Sequence, residues 1–356
     1  MRIASLAGCV LSLTALVAAT TSAAQEPIPF DASRWDLAGA VVEEHLGRSS
    51  LMGTAFLRDA AFRDGVVEVD VAVTGARSYP GILFRVASPG ELERVYLRPH
   101  RAGPAGYPDA VQYVPGFHGV DGWQLYNGDG FTAAATLPPG PWIRLRLEVK
   151  GTQARLFVGD GPQPALEIHD LKRGAGAGTL GLSGPGDGSA RFSSFRFRAD
   201  DGLSFDPPPR VDPAPGLVTR WRLSSPFPAR LVDPDRDPVA QSLPSFTWTD
   251  VTADANGLVD VARHHGRLGP EPDAVLAKTV IRSEKDEVRR FRFGYSDEVT
   301  IYLGGRPLFR GDGSYRLRDA SFLGIAGLHD SVYLPLRKGE NELTLLLVEN
   351  MGGWGF

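Results

Sequence analysis

Apolar and charged residues alternate along Val66-Val67-Glu68-Val69-Asp70-Val71-Ala72-Val73. Val67, Val69, Val71 and Val73 share one face, and Glu68 and Asp70 share the other, which is the period of a half-buried strand. Gly81–Val86, Val95–Arg98, Trp142–Val149, Ala154–Val158 and Arg191–Phe197 are read as further strands, separated by Gly and Pro clusters. The same style returns later, at Thr219–Leu223, Ala277–Arg282, Glu287–Gly294, Glu298–Leu303 and Glu342–Glu349. Gly304-Gly305, between Val299–Leu303 and Pro307–Phe309, predicts a tight hairpin turn. No segment carries a helical period, so the pattern predicts an all-β protein with two β-sandwich (jelly-roll) domains.

The break between them is Asp200–Gly216, with prolines at 207, 208, 209, 213 and 215. Those residues exclude a central strand and favour a stiff extended linker. The expected units are a leader over 1–24, a sandwich over 28–199, the linker over 200–216 and a second sandwich over 217–356.

The start of the chain reads as an export signal. Arg2 precedes the apolar run Val10–Ala19, and Ser22 and Ala24 are small residues at the positions a signal peptidase reads. Cleavage after Ala24 and a periplasmic or secreted location are expected. The run is too short to cross a bilayer, which takes about 20 apolar residues, and no second run follows, so no transmembrane segment is expected. Leu6-Ala7-Gly8-Cys9 resembles a lipobox, but most of the apolar run follows Cys9, so lipid anchoring there is not the expected route. Cys9 is the chain's one cysteine, so loss of the leader would leave none for disulfides. The formal charge is −4, and −5 once Arg2 is gone. A mildly acidic chain without a basic stripe argues against nucleic acid.

The densest set of chemically capable residues lies between Arg85 and Tyr126: Arg85, Tyr96, Arg98, His100, Asp109, Gln112, Tyr113, His118, Trp123, Gln124 and Tyr126. By alternation Tyr96, Arg98 and the turn at His100 share a face. Sugars are recognised by forked polar groups for paired hydroxyls and by aromatic faces for the apolar side of the ring. One reading makes Arg85, Tyr96, Arg98, Gln112, Tyr113, His118, Trp123, Gln124 and Tyr126 a ligand-binding face. The other places Trp123 and Tyr113 in the core and pairs the arginines with carboxylates.

Asp109 with His100, or with His118, offers a general-base pair for hydrolysis, and Glu91 and Glu93 are read on an adjacent loop. Glu68 and Asp70 lack the further same-face glutamate that a retaining glycosidase of this strand pattern requires, since Ala72 stands there. They are read as a solvated strand face. His264 and His265 are neighbours and would point to opposite faces of a strand, so they make a poor metal pair. No cofactor is expected, with structural calcium left open. Asp233-Pro234-Asp235-Arg236-Asp237 has carboxylates at alternate positions, though its prolines favour a solvated acidic turn. In the second half, Arg292, Tyr295 and Trp354 are candidates for lining a sugar pocket.

Several runs carry a family resemblance: Phe62-Arg63-Asp64-Gly65, Gly81-Ile82-Leu83-Phe84-Arg85, Tyr96-Leu97-Arg98-Pro99-His100, Asp109-Ala110-Val111-Gln112-Tyr113, Trp123-Gln124-Leu125-Tyr126, Gly181-Leu182 and Phe192-Ser193-Ser194-Phe195. Together they resemble concanavalin A-like, laminin-G-type sandwiches, and more narrowly are similar to the 3-keto-disaccharide hydrolase domain family. Phe291–Asp297, Val299–Phe309 and Gly352-Gly353-Trp354-Gly355-Phe356 resemble galactose-binding-like jelly rolls. Those domains often carry Asn in the turn where this chain has Gly304. They also continue with a closing strand after such a Gly-Trp-Gly-Phe stretch, so a last strand missing or supplied otherwise is expected. The resemblances imply a carbohydrate partner. Three functions follow: glycan binding or processing as an accessory protein, hydrolysis of a (3-keto-)glycoside, or adhesion to protein partners.

Overall fold

The computed structural model describes residues 25–37, 39–103 and 107–356. The expected leader, with Cys9, lies outside the described residues. Among them, regular structure is β-strand apart from four three-residue 3-10 turns, so the all-β expectation holds. No helix among them is long and apolar enough to cross a membrane.

Residues 35–199 form two sheets. One runs in the order Trp35–Asp36, Ala55–Leu57, Thr179–Ser183, Gly81–Ser88, Glu91–Leu97, Val111–Phe117, Thr132–Ala133, with Val120–Asp121 also on Val111–Phe117. The other runs Leu166–Ile168, Gln153–Val158, Trp142–Lys150, Gly65–Val73, Ala190–Ala199, Arg48–Met52, Val41–His45. Val67, Val69, Val71 and Val73 point into the core between them, with Phe84, Val95, Leu147 and Phe192. Glu68 and Asp70 project outward, where Arg196 stands 3.7 Å from Glu68 and Arg48 stands 2.7 Å from Asp70. That face is a charge ladder under arginine side chains and not the solvated face expected: Asp70 is buried and Glu68 half-buried.

Residues 220–349 form a seven-stranded sheet, ordered Trp248–Thr252, Arg220–Ser224, Asp273–Ser283, Gly339–Glu349, Glu298–Leu303, Arg306–Asp312, with Phe227–Pro228 on Asp273–Ser283. The strand pair Glu287–Phe293 and Asp330–Leu336 covers one side. The other side buries Phe227, Leu276, Tyr302 and Leu346 under loops carrying Phe246 and Trp248. Burial on both sides explains the continuous run Leu345-Leu346-Leu347, which alternation would have interrupted. The hairpin between Glu298–Leu303 and Arg306–Asp312 turns at Gly304-Gly305.

The linker is not a free spacer. Lys150, Gln153 and Arg155 donate to the carbonyls of Asp201, Asp206 and Ser204, and the Arg155 guanidinium lies 4.1 Å from the Phe205 ring centre.

Two local expectations are corrected. Glu91 and Glu93 lie on a strand, Glu91–Leu97, not on a loop. Glu93 faces inward beside Val95 and Leu97, and a charge on the core side hid the period. Arg85 does not share the outward face of its neighbours. It sits at a β-bulge with φ 48°, and a bulge re-aims the side chain. Its guanidinium donates to the carbonyls of Arg63, Gly151 and Gly174 and pairs with Asp64 at 3.1 Å, with 3% of the side chain exposed. Arg85 is therefore a buried tie between loops and not a ligand contact. Arg85→Ala takes the donor from three carbonyls and leaves Asp64 only Arg63 and the Gly151 N–H, so denaturant unfolding will show a loss of about 3 kcal/mol.

Candidate functional site

The outward face that carries Tyr96, Arg98 and Gln112 is not open to solvent. The alternation reading is right about the shared face: the Tyr96 hydroxyl donates to Gln112 Oε1 at 2.6 Å, and Arg98 donates to Tyr96 Oη at 2.8 Å and to Gln112. Gln112 in turn donates to the carbonyls of Trp123 and Tyr126. All three side chains are buried, and their polar atoms are spent on one another. Tyr96, Val114, Leu125 and Tyr126 form an apolar patch against Leu258 and Ala326 of the second sandwich. The ligand-binding assignment of Tyr96, Arg98, Gln112, Gln124 and Tyr126 is thus corrected: these residues build a domain junction.

Gln124 is the centre of that junction. Its N–H donates to Gly352 O at 2.8 Å, and its carbonyl accepts from Ala326 N at 2.9 Å. Its Nε2 donates to Leu323 O at 3.0 Å, and its Oε1 accepts from Ser296 Oγ at 2.9 Å. Every partner belongs to the second sandwich. A Cβ on Gly352 or on Gly324 would stand 2.2 Å from the Gln124 amide, and both residues have φ in the left-handed region. The Gly-Gly-Trp-Gly-Phe stretch is therefore shaped to admit Gln124. Tyr126 adds a second tie, its hydroxyl donating to Asp260 Oδ2 at 2.6 Å. Arg263 donates to Tyr126 Oη and to both oxygens of Asp254, and Lys172 of the first sandwich reaches Asp254 at 2.8 Å. His118 donates from Nδ1 to Ala262 O at 2.8 Å, which makes it a junction contact also.

The remaining expectations scatter. Tyr113 is in the first core, its hydroxyl donating to Glu93 Oε2 at 2.6 Å. Burial pushes the Glu93 carboxyl up to about 7, against the pull of the Tyr113 hydroxyl and the Arg173 N–H. Trp123 is half-buried, edge-on to Tyr315 with ring centres 6.0 Å apart. The catalytic pair does not form. Asp109 is buried and held by Arg101 at 2.6 Å and Arg98 at 3.5 Å. His100 Nδ1 has no hydrogen-bond partner, and its ring packs edge-on to Tyr79. Burial, then Arg77, Arg98 and Arg101, lower the His100 pKa, against a smaller opposing pull from Asp109.

Asp233 Oδ1 accepts from Asp235 N and Asp237 Oδ1 from Val239 N, which leaves the carboxylates capping backbone. No cluster of three or more His, Cys, Asp or Glu among the described residues is placed for a metal.

Trp354 is fully buried and Tyr295 nearly so, its hydroxyl on Asp330 at 2.8 Å, so neither lines a pocket. Arg292 does. It borders a cavity of about 420 Å³ where the strand pair leaves the large sheet uncovered. Trp221, Phe291, Phe293 and Phe356 supply aromatic walls, with Phe356 edge-on to Trp221 at 4.9 Å. Leu125 enters from the first sandwich, and Ala214–Val218 of the linker and following residues close another side. Arg290 and Arg292 are exposed and share one face of their strand. Reading along the sequence missed this site because its walls come from three distant segments. The one legible signal was Phe291-Arg292-Phe293, where aromatic and cationic residues alternate.

No family model matches the chain, and no curated protein matches it. Solved structures with some likeness include the carbohydrate binding module CBM66 from Bacillus subtilis, at 14% identity, over 46% of this chain and 92% of that one, with a TM-score of 0.32. Two candidate glycosyl hydrolases from Parabacteroides distasonis also match. One is 16% identical over 48% of this chain and 89% of its own, with a TM-score of 0.33. The other is 12% identical over 45% and 90%, with a TM-score of 0.29. Scores this low carry no weight, and the all-β assignment stands on the strands themselves.

The turn that receives Gln124 rests on buried acids. Asp297 Oδ2 accepts from Asn350 N and Met351 N, each at 2.8 Å, and Glu349 Oε1 accepts from Gly353 N. Burial, reinforced by Asp297, pushes the Glu349 carboxyl up from 4.5 to about 8. A carboxyl raised on folding stabilises fully below its unfolded pKa and loses that contribution as pH rises through the folded one. The melting temperature will therefore fall between pH 7 and pH 8.5, above the range in which His100, His264 and His265, lowered by burial, act in the opposite sense. Glu349→Gln keeps the acceptor for Gly353 and removes the ionisation. Thermal melts of that variant will show a shallower fall, the Glu93 share remaining, and a higher melting temperature at pH 8.

Proposed function

We propose that the protein is an exported carbohydrate-binding accessory protein, and that its ligand site is the aromatic-walled cavity of the second sandwich. The cavity carries the reading. Its volume lies in the range of small-ligand sites, roughly 300–1,000 Å³. Aromatic walls accept the apolar face of a pyranose ring, and guanidinium groups at the mouth offer paired donors to hydroxyls. The carbohydrate class is supported by the motif resemblances of both halves, and export by the leader pattern. Recognition on the outer face of the first sandwich is set aside, since the second sandwich occupies it. Binding is preferred to hydrolysis because Asp109 is committed to two arginines and His100 does not meet it.

Titration calorimetry against a panel of plant, bacterial and animal oligosaccharides tests the proposal. At least one will bind, and Phe356→Ala, which strips a wall from the cavity, will weaken it by about tenfold or more, that is about 1.4 kcal/mol. Absence of any sugar ligand, or a Phe356→Ala variant that binds as well as the parent, would overturn it.

A further inference from the structure

The charges around the cavity are one-sided. Its lining contains Arg290 and Arg292 and no Asp or Glu, in a chain with 42 acidic and 38 basic residues. Other arginines of this half divide: Arg289 meets Glu287 at 3.0 Å, Arg318 meets Asp330 at 2.8 Å and Arg337 meets Asp286 at 3.1 Å, while Arg220, Arg306 and Arg316 meet no carboxylate among the described residues. Arg290 and Arg292 have no such partner among the described residues. Across the strand pair they face Tyr333 and Ser331, neither of which can neutralise them.

Arg292 is also held in place. Its Nη2 donates to Leu328 O at 3.2 Å, and Leu328 is itself part of the cavity wall. The two arginines leave the same strand face two residues apart, with backbone positions about 7 Å from each other, so both side chains can reach one anion. Arginine presents its donors as a planar fork that matches a carboxylate or sulfate. A neutral sugar would gain nothing from either charge.

We infer that the ligand is an acidic saccharide, its carboxylate or sulfate held at the mouth by Arg290 and Arg292 and its ring against Phe356 and Trp221. This inference rests on the carbohydrate reading above and narrows its substrate class. Because both arginines lie outside the core, replacing them leaves the sandwich intact.

The test is calorimetry on the full chain with three probes: an oligogalacturonate, the same oligomer as its methyl ester, and a sulfated galactan oligomer. The methyl ester keeps the size and ring and loses the charge. An acidic probe will bind at least thirtyfold tighter than the ester, and its affinity will drop as salt is raised. The double variant Arg290→Gln, Arg292→Gln will bring it to the level of the ester with an unchanged melting temperature. Tight binding of only the galacturonate or only the sulfated oligomer supports the inference and assigns the anion. Equal binding of acid and ester, lost in Phe356→Ala, overturns the acidic class and leaves the sugar reading standing. No binding of any probe, when a neutral sugar from the wider panel does bind, overturns it in the same way. Failure of every saccharide overturns both.

Discussion

The junction between the sandwiches depends on a rule about buried polar groups. Once Gln124 is taken out of water, its four hydrogen-bonding groups must be met inside the protein, and each left unmet costs about 1–3 kcal/mol. The second sandwich meets all four, through Gly352, Ala326, Leu323 and Ser296. Those partners come from loops far apart in sequence, so a single side chain fixes several of them at once. The glycine stretch near Trp354, the Asp297 and Glu349 carboxyls behind it, and the burial of Tyr96 all follow from seating Gln124.

The sequence was most readable where one face of a strand is buried and the other is wet. Gly65–Val73 kept that alternation, with valines inward and Glu68 and Asp70 on the other face, although arginines cover that face and bury Asp70. It was least readable where that rule fails. Glu342–Glu349 was read as a strand, yet its Leu345–Leu347 run is apolar on both faces, because the sheet is covered on both sides, and gives no alternation to say which face is inner. Val111–Phe117 contains Pro115, which reads as a break but has a single neighbouring strand at its position. Arg85 turns inward at a bulge that no period announces.

The candidate site shows a different limit. Arg98, Gln112 and Gln124 are the residue types that recognise sugar hydroxyls, and the same donors and acceptors serve a domain junction equally well. Alternation placed Tyr96 and Arg98 on one face correctly. It had no means of showing that a second domain lies over that face. The cavity was nearly invisible for the opposite reason: Leu125, Val218, Trp221, Arg292 and Phe356 are spread over most of the chain, and each alone reads as ordinary core or surface. Only Phe291-Arg292-Phe293 left a local trace.

The pinned linker gives the molecule a mechanical property. Its first half is tied to the first sandwich at Asp201, Ser204 and Asp206, and its second half, from Ala214, walls the cavity. A molecule lodged in the cavity touches Leu125, the linker and the second sandwich together. By mass action it would favour the docked arrangement over any in which the halves part, adding RT ln(1 + [L]/Kd) to their association. Occupancy would work as a clasp, and resistance to being pulled apart would rise with ligand concentration.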